Sequence, residues 1–201
     1  MRYLEGHTRE VQALTWSPDG RWLYSAGDDA TLRRWDVQTG QETGRQTQTK
    51  EILALAVSPD GSTIASGGHD RRVYLWRPEK TDSTTGSKVP WMSLPHSVAA
   101  LSFSADGQWL AAGADCRTSR QGSLRVRSRS SGEIWSPLLP SEVSWAVWSL
   151  AFSPVESLLA SGHGGGGVLL WSPAERRQIG HIPMLGGVEA LSFSPQGSEL
   201  V

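Results

Sequence analysis

The stretch Ala-Leu-Thr-Trp-Ser-Pro-Asp-Gly at residues 13–20 decides how this chain folds, because similar stretches recur four more times. The later copies occupy residues 54–61, 100–107, 149–156 and 190–197. Their spacing is 41, 46, 49 and 41 residues, measured at the large residue before the shared serine: Trp16, Val57, Phe103, Phe152 and Phe193. Such a period indicates a repeat protein whose unit is either four short strands or a pair of helices.

The chemistry of the repeat favours strands over helices. Four copies carry a proline in mid-unit: Pro18, Pro59, Pro154 and Pro195. The order serine, proline, aspartate and glycine favours a type I turn, with proline at its second position. Apolar runs of four to six residues flank the turn, and this is the length of a strand.

The strand before the turn alternates large and small side chains. In the first copy Leu14 and Trp16 alternate with Ala13 and Thr15, and the other copies keep this pattern. Because side chains alternate across a strand, one face is large and the other is small. The innermost strand of a propeller blade meets this condition, since neighbouring blades crowd it.

With these features, the units resemble WD40 repeats. The first unit matches best, with Gly6-His7, residues 11–20 and residues 23–36, and the second keeps residues 66–76. The resemblance covers nearly the whole chain. It implies an all-β fold of β-propeller blades, each with four antiparallel strands. The expected blades are 8–47, 48–95, 96–138, 142–183 and a partial fifth blade at 184–201.

The length predicts about four and a half blades. Propellers close with 4–8 blades, and the resemblance implies seven. We therefore expect an incomplete or open ring, either a fragment of a longer propeller or a truncated gene product. An open array exposes sheet faces, so self-association through open blade edges is a further expectation.

The resemblance also implies a side-chain network of His, Ser or Thr, Asp and Trp that holds each blade. Carried over residue by residue, the network comprises His7, Ser25, Asp29 and Trp35 in unit one, Ser66, Asp70 and Trp76 in unit two, and Ser161 and Trp171 in unit four. The departures are Gln48 at a histidine position, Gln121 and Arg127 in unit three, and Gly165 in unit four. We expect blades three and four to be looser, because each charge-assisted hydrogen bond that they lack would contribute about 1.5–3 kcal/mol to stability.

Three patterns permit a chemical interpretation besides a structural one. Ser25, His7 and Asp29 could form a hydrolase triad, but Trp35 at the expected spacing favours the blade network. The glycine-rich residues 161–168 could cradle a phosphate, but no helix follows, so a turn is favoured. His69 and His163 share one slot, where a solvated turn residue is favoured over a rim metal site or a pH sensor.

The third unit carries an alternating basic stretch. Arg125, Arg127 and Arg129 share one strand face, with Arg117 and Arg120 before them. This stripe could contact an acidic partner or a phosphate. A solvated edge of a degenerate blade is the favoured interpretation.

Composition limits the partners. The formal net charge of −1 argues against non-specific binding to nucleic acid or a membrane surface. The single cysteine, Cys116, excludes an internal disulfide framework and any cysteine-based zinc site, and it fits a reducing compartment. We see no signal peptide and no membrane span. We therefore expect a cytoplasmic protein with no cofactor and no metal.

The favoured function is a non-catalytic protein–protein interaction scaffold. The resemblance makes one rim the usual partner surface, and tryptophan and arginine most often anchor interfaces. The expected partner-binding residues are Arg9, Lys50, Arg71, Trp145 and Trp148. An alternative is a sensor segment of a larger signalling protein, linked to a kinase or an ATPase, and a hydrolase is the least favoured.

Overall fold

The computed structural model describes residues 3–78, 90–115, 123–141, 143 and 146–201. These residues contain sixteen strands in four antiparallel sheets, each of four strands, and no α-helix. The predicted all-β architecture of four-stranded blades is therefore confirmed. Within the same residues, no helix has the length and apolar character needed to cross a lipid bilayer.

Each blade is formed by four strands that are consecutive in sequence. The strands of the first two blades are β1 (Val11–Trp16), β2 (Trp22–Gly27), β3 (Thr31–Asp36), β4 (Glu42–Thr47), β5 (Ile52–Val57), β6 (Ile64–Gly68), β7 (Arg72–Trp76) and β8 (Met92–Ser93). Those of the next two are β9 (Val98–Phe103), β10 (Trp109–Ala114), β11 (Leu124–Ser128), β12 (Ile134–Trp135), β13 (Val147–Phe152), β14 (Leu159–His163), β15 (Val168–Ser172) and β16 (Arg177–Ile182).

The Ser-Pro-Asp-Gly stretch forms the turn between the first two strands of a blade. The Ser17 hydroxyl donates to the Asp19 carboxylate and accepts from the backbone N–H of Trp22, while Gly20 has a φ of 70°. The second blade repeats this arrangement at Ser58 and Asp60. Hydrogen bonds from Ser58 and Ser62 lower the pKa of Asp60 to about 2.

The blades stack in sequence order without closing into a ring. The first strand of each blade packs on the first strand of the next, from β1 through β5 and β9 to β13. The fifth unit forms a partial hairpin, in which Phe193 pairs with Leu200 and two backbone bonds join Ser192 to Val201.

The hydrophobic core lies between the blades. One apolar cluster joins blades 1 and 2, a second joins blades 2 and 3, and a third joins blades 3 and 4. In the second cluster, Leu101 and Phe103 of blade 3 lie against Ala54, Ala56 and Ala65 of blade 2. At this junction, the large and small faces read from the sequence therefore meet.

A branched side chain at the start of a blade packs on a glycine of the preceding blade. A Cβ atom added to Gly67 would lie 2.6 Å from Cγ1 of Val98, and one added to Gly113 would lie 2.6 Å from Cγ1 of Val147. The two valines are completely buried. Because the glycine backbone and the valine side chain touch, no residue larger than glycine fits at either position without moving the blades apart.

We expect Gly67→Ala to lower the free energy of unfolding by about 1–3 kcal/mol, because Val98 has no space to yield. Urea denaturation followed by circular dichroism measures this change. Gly186→Ala is the matched control, since an added Cβ there meets nothing within 4 Å. Equal stabilities of the two variants would contradict close packing at this junction.

Candidate functional site: the blade network and its rim

The first blade brings all four network residues together. His7 lies before β1, Ser25 in β2, Asp29 in the β2–β3 turn and Trp35 in β3. Trp35 Nε1 donates to Ser25 Oγ at 2.7 Å, and His7 bridges Ser25 Oγ at 2.7 Å and Asp29 Oδ2 at 2.9 Å. An ionised carboxylate only accepts, so His7 Nδ1 donates to Asp29, and in the neutral imidazole Nε2 then accepts from Ser25.

Asp29 anchors this network electrostatically. Burial alone would raise the pKa of Asp29, but hydrogen bonds from Thr31, His7 and the Thr8 backbone outweigh it and hold the pKa far below its usual range. The buried Arg33 guanidinium adds a contact to Asp29 at 3.4 Å and an ion pair with Glu42 at 2.8 Å. The Asp29 carboxylate is therefore ionised in the folded blade near neutral pH.

The Ser25–His7–Asp29 contacts match those of a hydrolase triad in connectivity. Ser25 is buried, however, and its oxygen already accepts the indole N–H of Trp35. The side chains of His7 and Asp29 are also almost fully covered. A nucleophile needs an open side facing its substrate, so this arrangement serves to hold strands together.

The second blade keeps only part of the network. Trp76 Nε1 donates to Ser66 Oγ at 2.5 Å. Asp70 accepts from Thr49 Oγ1 at 3.1 Å and from the Arg72 backbone N–H at 3.0 Å. Gln48 stands four residues before β5, as His7 stands before β1, but its Nε2 atom is buried without a hydrogen-bond partner. The Gln48 side chain thus leaves Ser66 and Asp70 unbridged.

The fourth blade replaces the missing histidine from its own strand. Trp171 Nε1 donates to Ser161 Oγ at 2.8 Å, and Ser161 Oγ lies 2.9 Å from His163 Nε2. His163 is 0% exposed, so the favoured interpretation of a solvated turn residue is wrong for His163. His69 is exposed and bonds Ser97 at 3.0 Å. His69 and His163 thus occupy equivalent repeat positions but have different surroundings.

The third blade lacks the tryptophan–serine pair. Ala112 takes the serine position opposite Leu101, and Arg127 takes the tryptophan position opposite Leu110. The Arg127 guanidinium lies over the Trp91 ring at 4.4 Å and donates to Gly132 O at 3.1 Å. Gln121 lies outside the described residues, as do Cys116, Arg117 and Arg120.

The arginine stripe of the third blade is half-buried and contacts the second blade. Arg125 donates to the carbonyl of Ser93, Arg127 stacks on Trp91, and Arg129 donates to Thr63 Oγ1 at 3.2 Å. Ser93, Trp91 and Thr63 all belong to the second blade. The expectation of a solvated edge is therefore wrong, and the three guanidinium groups join adjacent blades.

Glycines in residues 161–168 form the β14–β15 turn. Gly166 and Gly167 have φ values of 96° and 100°, which L side chains rarely adopt. The strand β15 follows directly. Within the described part of the chain, no group of three or more His, Cys, Asp and Glu side chains is placed to hold a metal ion.

One rim carries a charged groove between the first two blades. The groove has a volume of about 600 Å³ and its lining includes Thr8, Arg9, Asp28, Lys50, Glu51 and His69. Arg71 lies on the same rim, in the β6–β7 turn, with a φ of 65°. Arg9 and Lys50, two of the residues expected to bind partners, thus line the groove. Arg71 follows the groove residue His69 by two positions in the sequence.

The rim beside blade 4 is apolar. Trp148 is partly buried against Gly164 and Gly187, and its Nε1 donates to Asp115 at 3.2 Å. Met184 and Leu185 follow β16 and are strongly exposed. Sequence reasoning missed this pair, although two large apolar residues in a loop were a readable signal. Trp145 lies outside the described residues.

Comparison with known proteins agrees with this geometry. A family model described as "WD domain, G-beta repeat" matches residues 1–36, 41–77, 89–126 and 139–172, more than half of the chain. The chain is 48% identical over 40 residues to U3 small nucleolar RNA-associated protein 21 of Saccharomyces cerevisiae, which is 20% of this chain and 4% of that protein.

Two further relatives match over similar lengths. A ribosome biogenesis protein WDR12 homolog of Oryza sativa is 55% identical over 38 residues, 19% of this chain and 8% of that protein. The nuclear distribution protein PAC1 of Arthroderma otae is 45% identical over 47 residues, 23% of this chain and 10% of that protein. These matches therefore span a tenth or less of each relative.

We expect Gln48→His to raise the free energy of unfolding by about 1 kcal/mol, because the imidazole can bridge Ser66 and Asp70 as His7 bridges Ser25 and Asp29. Urea denaturation tests this change. His7→Gln is the reciprocal control and should lower stability. A Gln48→His variant no more stable than the parent would show that blade 2 does not take the network geometry of blade 1.

Asp29 should give stability that depends on pH. Its pKa is lower in the folded chain, so the unfolded chain binds more protons and stability is lost as pH falls below about 4. The difference in unfolding free energy between the parent and Asp29→Asn should therefore be largest near neutral pH and shrink below about pH 4. Denaturation curves over this pH range measure it.

Glu199→Gln is the matched control, because this exposed carboxylate makes no ion pair among the described residues. A difference for Asp29→Asn that stays constant with pH would contradict a charge-dependent role.

Proposed function

This chain belongs to the WD40-repeat family, and we propose that it is a non-catalytic scaffold that binds other proteins or peptides through one rim of its blades. The family itself indicates a protein-interaction scaffold. The observation that carries the rim assignment is the groove between blades 1 and 2. Arg9 and Lys50 line it and make no ion pair among the residues that the structure describes.

Backbone strain at Arg71 supports the same rim. The equivalent turn position holds Ala30 in blade 1, also with a positive φ, and Gly166 in blade 4, where a positive φ costs little. A non-glycine residue in this conformation costs about 1 kcal/mol. Strained residues cluster at binding sites, where the surrounding structure holds them in place. We propose that Arg71, which is exposed on this rim, contacts the partner through its guanidinium.

The apolar part of the rim supplies a second kind of contact. Met184 and Leu185 are exposed, and Gly187, which follows them in the chain, contacts Trp148. Interfaces combine a few desolvated apolar or aromatic anchors with a polar surround. We propose that a partner contacts the charged groove and this apolar surface together, with Arg9, Lys50, Arg71, Trp145 and Trp148 as binding residues.

The proposed partners are proteins or peptides, not nucleic acids or membranes. The balance of 19 basic and 20 acidic residues supports this choice, because nucleic acids and anionic membrane surfaces attract basic proteins. The buried network in blade 1 supports a role without catalysis. A cytoplasmic setting is proposed on the single cysteine. Association of the chain with itself is a further route, through its exposed blade face.

Arg71→Glu and Trp148→Ala should each reduce partner capture by about tenfold or more, because each removes an anchor of the proposed rim. Affinity purification with the tagged chain, quantified by mass spectrometry, measures the loss. Arg77→Glu is the matched control, an exposed arginine that lies at the far end of β7 from Arg71.

Circular dichroism must show that each variant is folded, since Trp148 also bonds Asp115. Unchanged capture of every partner by both folded variants would remove the proposed surface.

A further inference from the structure

A small cavity opens between two turns at the ends of the strands that lie away from the charged groove. It lies where the β9–β10 turn of blade 3 meets the β13–β14 turn of blade 4, and its volume is about 160 Å³. Its lining includes Trp109, Asp106 and Glu156. A cavity of about 150 Å³ holds one benzene ring, so this cavity suits the head group of a single side chain.

The indole of Trp109 lines this cavity. Trp109 is half-buried and packs against the apolar cluster that joins blades 3 and 4. It is the first residue of β10, as Trp22 is the first residue of β2. The two tryptophans are therefore equivalent in the repeat, and the groups that cover Trp22 indicate what the Trp109 ring can bind.

In blade 1, two arginines of the same chain cover the equivalent tryptophan. The Arg21 guanidinium lies 4.5 Å from the centroid of the Trp22 ring, and the Arg34 guanidinium lies 4.6 Å from it. Asp36 Oδ2 lies 3.8 Å from Arg21 Nε. A guanidinium stacks on an indole because the ring quadrupole attracts a weakly hydrated, planar cation. This position of the repeat therefore takes a guanidinium that has a carboxylate beside it.

Blade 3 keeps the tryptophan but lacks both arginines. Gln108 stands where blade 1 has Arg21, and Val126 stands where it has Arg34. Val126 is completely buried, and Gln108 carries no charge. Among the described residues, no guanidinium lies over the Trp109 ring. The cavity beside Trp109 thus occurs where blade 1 provides its own cation.

Two carboxylates at this cavity can pair with a cation. Asp106 and Glu156 line it and are exposed, and neither makes an ion pair within the part of the chain that the structure describes. Ser104 Oγ and the Gln108 backbone N–H both donate to Oδ1 of Asp106. Because both bonds engage the same oxygen, Oδ2 is available to a donor on a ligand.

We propose that this cavity binds an arginine side chain of a basic peptide, with its guanidinium stacked on Trp109 and paired with Asp106 and Glu156. Arginine is favoured over lysine because its flat head group stacks on a ring while its fork of N–H donors reaches carboxylates. The site is separate from the partner-binding rim proposed above, because the β1–β2 type of turn and the β2–β3 type of turn lie at opposite ends of a blade.

Nuclear magnetic resonance titration of the full chain with a capped Gly-Arg-Gly peptide tests this site. The indole N–H resonance of Trp109, assigned by its loss in Trp109→Leu, should shift as the peptide is added. The same peptide with citrulline in place of arginine has the same shape but no charge, and it should bind about fivefold more weakly. Equal binding of the two peptides, or a Trp109 resonance that does not move, overturns the proposal.

Removal of the two carboxylates tests the pairing. The double change Asp106→Asn with Glu156→Gln should weaken binding of the arginine peptide about fivefold. The turn should persist in this variant, because an amide oxygen at position 106 can still accept from Ser104. Glu10→Gln, which changes an exposed carboxylate at the other end of a blade, is the matched control and should leave binding unchanged.

Gln108→Arg tests the comparison with blade 1. Its guanidinium should cover Trp109 as Arg21 covers Trp22, and it should therefore weaken binding of the arginine peptide about fivefold. Gln108→Ala is the matched control and should bind as the parent does. Gln108 is exposed, so both variants should fold, which circular dichroism checks. Binding that a folded Gln108→Arg chain retains in full overturns the proposal.

Discussion

Each blade of this protein depends on a neighbouring blade to cover one of its faces. The close contact of Val98 with Gly67, and of Val147 with Gly113, sets the distance between neighbours. The apolar clusters lie at the junctions and not within single sheets. A four-stranded blade therefore buries its large face only by stacking, and this explains why repeats of this length occur in series.

The network within each blade is secondary to this stacking, and it tolerates replacement. Blade 1 has the complete set, blade 2 leaves Gln48 Nε2 without a partner, and blade 4 takes its histidine from strand β14. Blade 3 lacks the set, but Arg125, Arg127 and Arg129 fasten it to blade 2. Loss of a bond within a blade is thus offset by contacts between blades.

Much of the fold could be predicted from the sequence, because the repeated turn and the alternation of large and small residues are local signals. The alternation at Leu14 and Trp16 also implied a covered face. The position of His163 could not be predicted in this way. His69 and His163 share a register, but His69 bonds Ser97 on the surface and His163 is buried and bonds Ser161. The neighbouring side chains decide whether the histidine at this position is buried or exposed, and the register does not specify those neighbours.

The sequence by itself determined the repeat, the strands, the Ser-Pro-Asp-Gly turns and the residues that could form the blade network, because these depend on spacing and backbone preference. Only the tertiary structure decided which network members meet, that the arginine stripe contacts blade 2, and that Val188 of the fifth unit packs on Gly162 of blade 4. These outcomes depend on distances between segments far apart in the chain, and packing alone sets such distances.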